Sequence, residues 1–411
     1  MANDRPIYLD NNATTRVDPR VLAAMLPYLS DEMGNAASRN HVFGRLAREA
    51  VQRARGEVAA LIGASGDEIV WTSGATESDN LAVQGAARMH EERGRHLVTT
   101  TVEHKAVLDA CHFLERQGHG VTYVCVDRHG RVEAEKVGAA IRADTVLVSV
   151  MAANNELGTL NPVADIGRAC KERGVLLHCD ATQAIGKVPV NVEAMGVDLL
   201  SISGHKLHGP KGVGALYVRQ KRPRVRIAPL LYGGGHEDGL RSGTLNVPGI
   251  VGLGAACALA RAEMTAEAAR IARLRDRLWE GLQRGLGEVV ARNSHPRECL
   301  PNTLNVRFDG VEGDRLIFAM PGLAISSGSA CTTSSLEPSY VLRAIGLRDD
   351  QIYGSLRFSL GRFNTEAEID AAIAIVVNAV TRVRVMTGTK VESSIEPGLF
   401  DAAAARRRRA P

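Results

Sequence analysis

The feature that most constrains this chain is an alternation of short apolar, β-branched runs with longer amphipathic stretches. Residues 97–100, 121–124, 145–150 and 175–178 are each too short for a stable helix and rich in strand formers. Strands separated by helices in this rhythm predict an α/β fold, with a mostly parallel sheet covered by helices on both faces. From Val251 to Leu286 alanine, leucine, arginine and glutamate predominate with few breakers, which predicts a long helix joining two domains, with the boundary near Ala260. The second domain would then combine the N-terminal segment with everything after that helix, including a strand in 302–308. No internal repeat is present.

Composition narrows the class. The 411 residues are 45% hydrophobic, enough to bury a sizeable core. Lys and Arg total 50 against 46 Asp and Glu, and four of the cations sit in the terminal run 406–409, so the rest of the chain is neutral. That excludes a nucleic-acid binder by charge. No run of about 18 apolar residues suggests a membrane span, and residues 1–6 carry no apolar or arginine-rich leader, so a cytoplasmic location is expected. The seven cysteines, at 111, 125, 170, 179, 257, 299 and 331, show no paired CxxC spacing. This argues against a disulfide framework and a structural metal site, and most are expected to be small buried hydrophobes.

Chemistry concentrates in three stretches. Ser201-Ile202-Ser203-Gly204-His205-Lys206 follows an apolar run and places a lysine where Schiff-base chemistry with an aldehyde cofactor can be held, although many lysines after strands lie in plain surface loops. Asp180 ends a second apolar run. An acid there can pair with a pyridinium nitrogen, or it can cap a helix beginning at Ala181-Thr182-Gln183. In Thr72-Ser73-Gly74-Ala75-Thr76-Glu77 a glycine turn leads into a helix start, whose unpaired N–H groups suit a phosphate or merely cap a turn.

Phosphate cup, acid and lysine come in the order used by pyridoxal-phosphate enzymes of the aspartate aminotransferase fold type. Together with Tyr8-Leu9-Asp10-Asn11-Asn12-Ala13-Thr14-Thr15, Thr101-Val102-Glu103-His104, Asn154-Asn155-Glu156 and Ser326-Ser327-Gly328-Ser329-Ala330-Cys331-Thr332, they make the chain resemble the cysteine desulfurases of the class V aminotransferase family, in the long-loop branch. The likeness runs from about residue 7 to about residue 370. It implies an α/β, aspartate aminotransferase-like type I fold. A large cofactor-binding domain would span 16–260, and a smaller α+β domain would be built from 1–15 and 261–390 and carry a mobile cysteine loop. Residues 391–411 would be a disordered basic tail.

The same resemblance implies site roles. Lys206 would hold pyridoxal 5'-phosphate and His104 would stack on its ring and move protons. Asp180 would face the ring nitrogen, and Asn155 and Gln183 would contact the substrate side and the phenolic oxygen. Ala75, Thr76, Ser203 and His205 would hold the phosphate. Arg357 would clamp the substrate carboxylate, beside Asn155, unless it is simply an arginine on an exposed strand face. The loop containing Gly233-Gly234-Gly235 would cross a homodimer interface so that Thr244 reaches the neighbouring phosphate, or else be plain flexible loop. Cys331, in a run of small residues, would attack the sulfur of L-cysteine, leaving L-alanine and a persulfide for an iron–sulfur scaffold or for tRNA thiolation; it could also ligate a cluster iron in passing. A selenocysteine lyase or another lyase or transaminase of this fold would share the lysine, the aspartate and the phosphate cup but would not need Cys331 on a long mobile loop. Two departures from the family pattern stand out: Ala36 where proline is usual, and a C-terminal end unlike the scaffold-docking tail.

Overall fold

In the computed structural model the described residues are 5–386, except 222, 312 and 328–337. Cys331 and the basic tail lie outside them.

A seven-stranded sheet forms the centre of the molecule. From edge to edge its strands are Ile69–Thr72, Gly214–Val218, Leu199–Ser203, Leu176–Asp180, Thr145–Ser149, His96–Thr100 and Gly120–Val124. Only Gly214–Val218 runs against its neighbours, so the expected mostly parallel sheet is present. Alternation along the strands separates two apolar layers. Val98, Val148, Leu177 and Leu200 face one layer; Leu97, Leu147, Leu199 and Leu216 face the other. Helices such as Val42–Ile62 and Ala75–Met89 cover these faces, so the sheet is buried on both sides.

The predicted long helix exists and begins earlier than its composition suggests, at Val247, where Asn246 accepts a hydrogen bond from Gly249 N at 3.1 Å and Pro248 fits the first turn. It ends at Leu286. Apolar residues at helical spacing join different cores along its length. Ile250, Leu253, Cys257 and Ala260 belong to the core around the large sheet, whereas Ile271, Leu274, Leu278 and Leu282 belong to a second core. A Cβ on Gly254 would lie 2.6 Å from Ala54 Cα, so a glycine lets this helix cross Val42–Ile62 closely. By length and composition the helix could cross a membrane, a possibility no apolar run in the sequence had suggested. Half of its apolar window is buried in the protein, as befits a core helix.

The second core lies under an antiparallel sheet in the order Ser326–Ser327, Ser355–Ser359, Thr303–Phe308, Val290–Arg292. Leu9, from the N-terminal segment, packs into this core, while Val21 packs into the large one. Asn11 and Asn12 stitch the segment between them: Asn11 N and Asn12 N donate to Ser359 O and Oγ at 3.0 and 2.9 Å. Ala36 is buried in the large core.

One local alternative is corrected. No helix begins at Ala181; turns follow Asp180 instead, because its Oδ1 accepts Thr182 N at 2.9 Å and closes a side-chain-mediated turn. Most cysteines are buried, as expected: of those other than Cys331 five are buried, and Cys125 is exposed just past the end of the strand Gly120–Val124.

Candidate active site

The C-terminal ends of the parallel strands open into a cavity of about 620 Å³. Lys206, His104, Asp180, Asn155, Gln183 and Arg357 line it, as do Ala75, Thr76, Ser203 and His205. Of the expected site residues that are described, only Thr244 is not part of this wall. Thr244 is exposed elsewhere on the chain, and Cys331 lies outside the described residues.

Lys206 ends a short turn of 3-10 helix directly after Leu199–Ser203. Its Nζ donates to Asn12 O at 2.7 Å and Ala13 O at 2.8 Å, so the N-terminal segment aims the amine. Gln183 Nε2 also donates to Asn12 O, at 3.0 Å, while its Oε1 accepts from Lys187 Nζ at 2.8 Å. Burial pushes Lys187 down to about 7, helped by the nearby Lys206 and Arg357 charges.

His104 caps the helix Lys105–Arg116, its Nδ1 accepting Ala106 N at 3.1 Å. That bond places the proton of the neutral ring on Nε2. The ring is open to the cavity, yet protein crowds it enough that desolvation pulls its pKa below the ordinary value, with Asp180 opposing. Asp180 is buried at the end of its strand. Two acids near it have protons that are hard to remove. Burial, reinforced by the Asp180 charge, holds Asp79 well above the carboxylate range. Burial likewise raises Glu103 to about 8, although its oxygens accept from Thr100 Oγ1 at 2.7 Å and Met151 N at 2.8 Å. His178, lowered to about 4 by burial, is neutral between Ser149 and Ser201.

The anion cup is the first turn of Ala75–Met89, preceded by Gly74 at φ +153°. A Cβ on Gly214 would lie 2.6 Å from Gly74 Cα, so the glycine at 214 lets turn and strand touch. First-turn N–H groups have no partner within a helix and carry the positive end of its dipole. Ser203 and His205 flank the cup with Lys211. Burial and the cations at 206, 211 and 187 hold His205 at about 4, hence neutral, with Nδ1 3.1 Å from Thr14 Oγ1.

Arg357 comes from the small sheet and is buried, at 4% exposure, so it does not lie on an open strand face. Its Nη1 donates to Asn155 O at 3.0 Å and its Nη2 to Asp10 Oδ1 at 2.7 Å and Ser326 Oγ at 2.8 Å. Asp79, Thr182 and Lys211 also line the cavity without having been read from sequence. Thr182 carries a signal in hindsight, since a residue two positions after a turn-forming aspartate is turned back beside it. In sequence Asp10 stands out only as part of the motif Tyr8-Leu9-Asp10-Asn11-Asn12-Ala13-Thr14-Thr15.

Pyridoxal phosphate is tested by what this wall leaves unmatched. Asn155 Oδ1 and Thr182 Oγ1 are buried side-chain atoms without a hydrogen-bond partner, and both residues line the cavity that also presents an amine, a strand-end acid and an anion cup. A polar, phosphorylated aldehyde ring fits that set of donors and acceptors.

A parallel-sheet domain with a lysine, an acid and an anion cup at its strand ends defines a type I fold of the aminotransferases. The aminotransferase class-V model matches residues 7–372, and the chain belongs to that family. It is 59% identical over 382 residues to "Cysteine desulfurase IscS" of Anaeromyxobacter dehalogenans (strain 2CP-C), covering 93% of this chain and 94% of that one. It is 54% identical to the Klebsiella pneumoniae (strain 342) protein of the same name, covering 92% and 94%. Among solved structures, a NifS-like protein superposes with a TM-score of 0.85 at 41% identity, over 92% of this chain and all of that one. DndA from Streptomyces lividans gives 0.73 at 41% identity, over 86% and 99%.

Proposed function

We propose that this protein is a cysteine desulfurase that uses pyridoxal 5'-phosphate to convert L-cysteine into L-alanine, leaving the sulfur as a persulfide on Cys331. The observation that carries the reading is the convergence of Lys206, Asp180, His104 and Arg357 on one cavity in a chain 59% identical to a cysteine desulfurase.

When bound, the cofactor supplies an aldehyde for the substrate amine and an electron-poor ring for the pair left at Cα. Lys206 would hold it, the Ala75–Thr76 turn with Ser203 and His205 would take its phosphate, and Asp180 would pair with its ring nitrogen. Asn155 and Gln183 supply amide contacts on the substrate side. Arg357 binds the carboxylate of L-cysteine. Lys206 Nζ takes the α-proton and later returns one to carbon. His104, its pKa held below the ordinary value by desolvation and its neutral ring carrying the proton on Nε2, is placed to move protons in the cavity. The Cys331 thiolate attacks the substrate sulfur. An S–S bond forms, the C–S bond breaks with its electron pair on carbon, and a proton at carbon completes alanine.

The persulfide suits iron–sulfur cluster assembly on a scaffold protein, and tRNA thiolation as a second outlet. A reduced, cytoplasmic setting agrees with a free nucleophilic thiol. We read 16–260 as the large unit and 1–15 with 261–390 as the small one, because the long helix changes core between Ala260 and Ile271. We also read the protein as a homodimer in which Thr244 serves the partner's phosphate site. This is supported by the exposure of Thr244 and by how its loop is held. Glu237 accepts Arg55 Nη2 and Trp71 N at 2.8 Å each, covering the edge strand Ile69–Thr72.

The test is Cys331→Ser, assayed anaerobically with L-cysteine and a reductant. Cofactor binding persists and sulfide release falls to background, because a hydroxyl cannot carry persulfide. Wild-type protein gains one sulfur on the Cys331 peptide in mass spectrometry without reductant. Sulfide release by the serine variant at the wild-type rate would favour a selenocysteine lyase or related lyase instead.

A further inference from the structure

The most unexpected contact in the cavity is a carboxylate already seated on Arg357. Asp10 Oδ1 accepts from Arg357 Nη2 at 2.7 Å and from Ser326 Oγ at 2.8 Å, and Ser326 Oγ itself accepts from the same Nη2 at 2.8 Å. Both hydrogens of Nη2 are therefore engaged. This nitrogen belongs to both planar edges of a guanidinium, the Nε–Nη2 side and the Nη1–Nη2 end, through which an arginine grips a carboxylate with two bonds. Nη1 is held by Asn155 O at 3.0 Å, and Nε is buried without a partner. A two-bond grip on either edge must therefore take a hydrogen from Asp10 or Ser326.

The charges point the same way. Arg357 and Asp10 are 4% and 19% exposed, so their attraction is only partly screened, and a buried guanidinium without a counterion would be costly. Asp10 is also fixed by its surroundings. Tyr8 Oη donates to its carbonyl at 3.0 Å, and it forms an isolated bridge with Ser359 on the arginine's own strand. The acid thus moves with the strand that carries Arg357.

We propose that Asp10 is a resident counterion that competes with the substrate carboxylate for Arg357, so that substrate binding is an exchange of carboxylates and Asp10 sets its strength. This rests on the reading of Arg357 as the carboxylate clamp. Asp10 acts through Arg357 and is a positioning residue. Its charge orients the guanidinium and holds the affinity for L-cysteine below what an unopposed arginine would give.

The test compares holoenzyme variants by isothermal titration with propionate, a carboxylate with neither amine nor thiol, and by steady-state kinetics with L-cysteine. Asp10→Asn keeps an oxygen for Nη2 and removes the charge. It lowers the Kd for propionate and the KM for L-cysteine by roughly fivefold, the gain expected when a partly buried like charge is removed. The change falls on KM more than on kcat, and inhibition by cysteamine, which lacks the carboxylate, stays at its wild-type strength. Asp10→Glu, which restores the charge, returns propionate affinity toward wild type. Unchanged or weaker propionate binding in Asp10→Asn overturns the proposal, as does an equal shift for cysteamine. If Asp10→Asn does not fold, Ser326→Ala decides, since it frees one Nη2 hydrogen and tightens propionate by about twofold; no tightening overturns the proposal. Failure of the clamp reading is separately visible, because Arg357→Ala would then bind propionate as wild type does. Failure of the desulfurase reading would show as absent sulfide while propionate titration still responds to Asp10.

Discussion

The floor of the cavity and its rim solve the same problem differently. On the floor, Lys206, His104 and Asp180 sit at strand or helix ends and meet backbone groups there: the carbonyls of Asn12 and Ala13 and the N–H groups of Ala106 and Thr182. On the rim, Arg357 meets a carboxylate, Asp10, and a hydroxyl, Ser326. Fixed dipoles place a reactive group without neutralising it, whereas a counterion places it and competes for it. The floor is therefore built for chemistry and the rim for adjustable binding.

The largest effect that could break this contrast is on the floor. Lys206→Ala lowers sulfide release by about 10,000-fold, the upper range for removing a group that transfers protons, and leaves no covalently held cofactor after borohydride treatment. Covalent trapping on a peptide without residue 206 would dissolve the floor as described. On the rim the effect is smaller and of another kind. Arg357→Lys keeps the charge but loses the planar fork, so kcat/KM for L-cysteine falls about 10–100-fold, chiefly through KM. A loss confined to kcat would move Arg357 into the chemistry.

The smallest effect concerns the acids beneath the floor. Glu103 is raised by burial to about 8, above its ordinary 4.5, so the folded protein keeps its proton where the unfolded chain has lost it. That contribution to stability is complete below about pH 4 and is lost as pH rises toward 8. Glu103→Gln removes it, flattening the fall of Tm between pH 5 and 8 by roughly 2–5 °C relative to wild type. An unaltered slope in differential scanning fluorimetry would mean that another group titrates there.

Much of the floor was legible because its residues follow strands. Asp180, Ser203 and Lys206 each lie at or just past an apolar run, and strand ends of a parallel sheet converge on one edge. The rim was legible only as a resemblance. Nothing near Arg357 in sequence shows that Asp10, 347 positions away, will meet it. Ala181-Thr182-Gln183 has the composition of a helix start, but the Asp180 side chain competed successfully for the Thr182 N–H. Cys125 resembles a core cysteine until the edge strand Gly120–Val124 ends and leaves it at the surface.

The sequence by itself determined the alternation of strand and helix, the long helix, and the order of anion cup, acid and lysine, because each depends on residues within one or two turns or strands of one another. Tertiary structure alone decided which charges face each other. It buried Glu103 and Asp79 near Asp180, laid the N-terminal segment across both cores so that Asn12 holds Lys206, and set Asp10 on Arg357. Electrostatic strength depends on distance and desolvation, and both are properties of the packed molecule that no local run of residues carries.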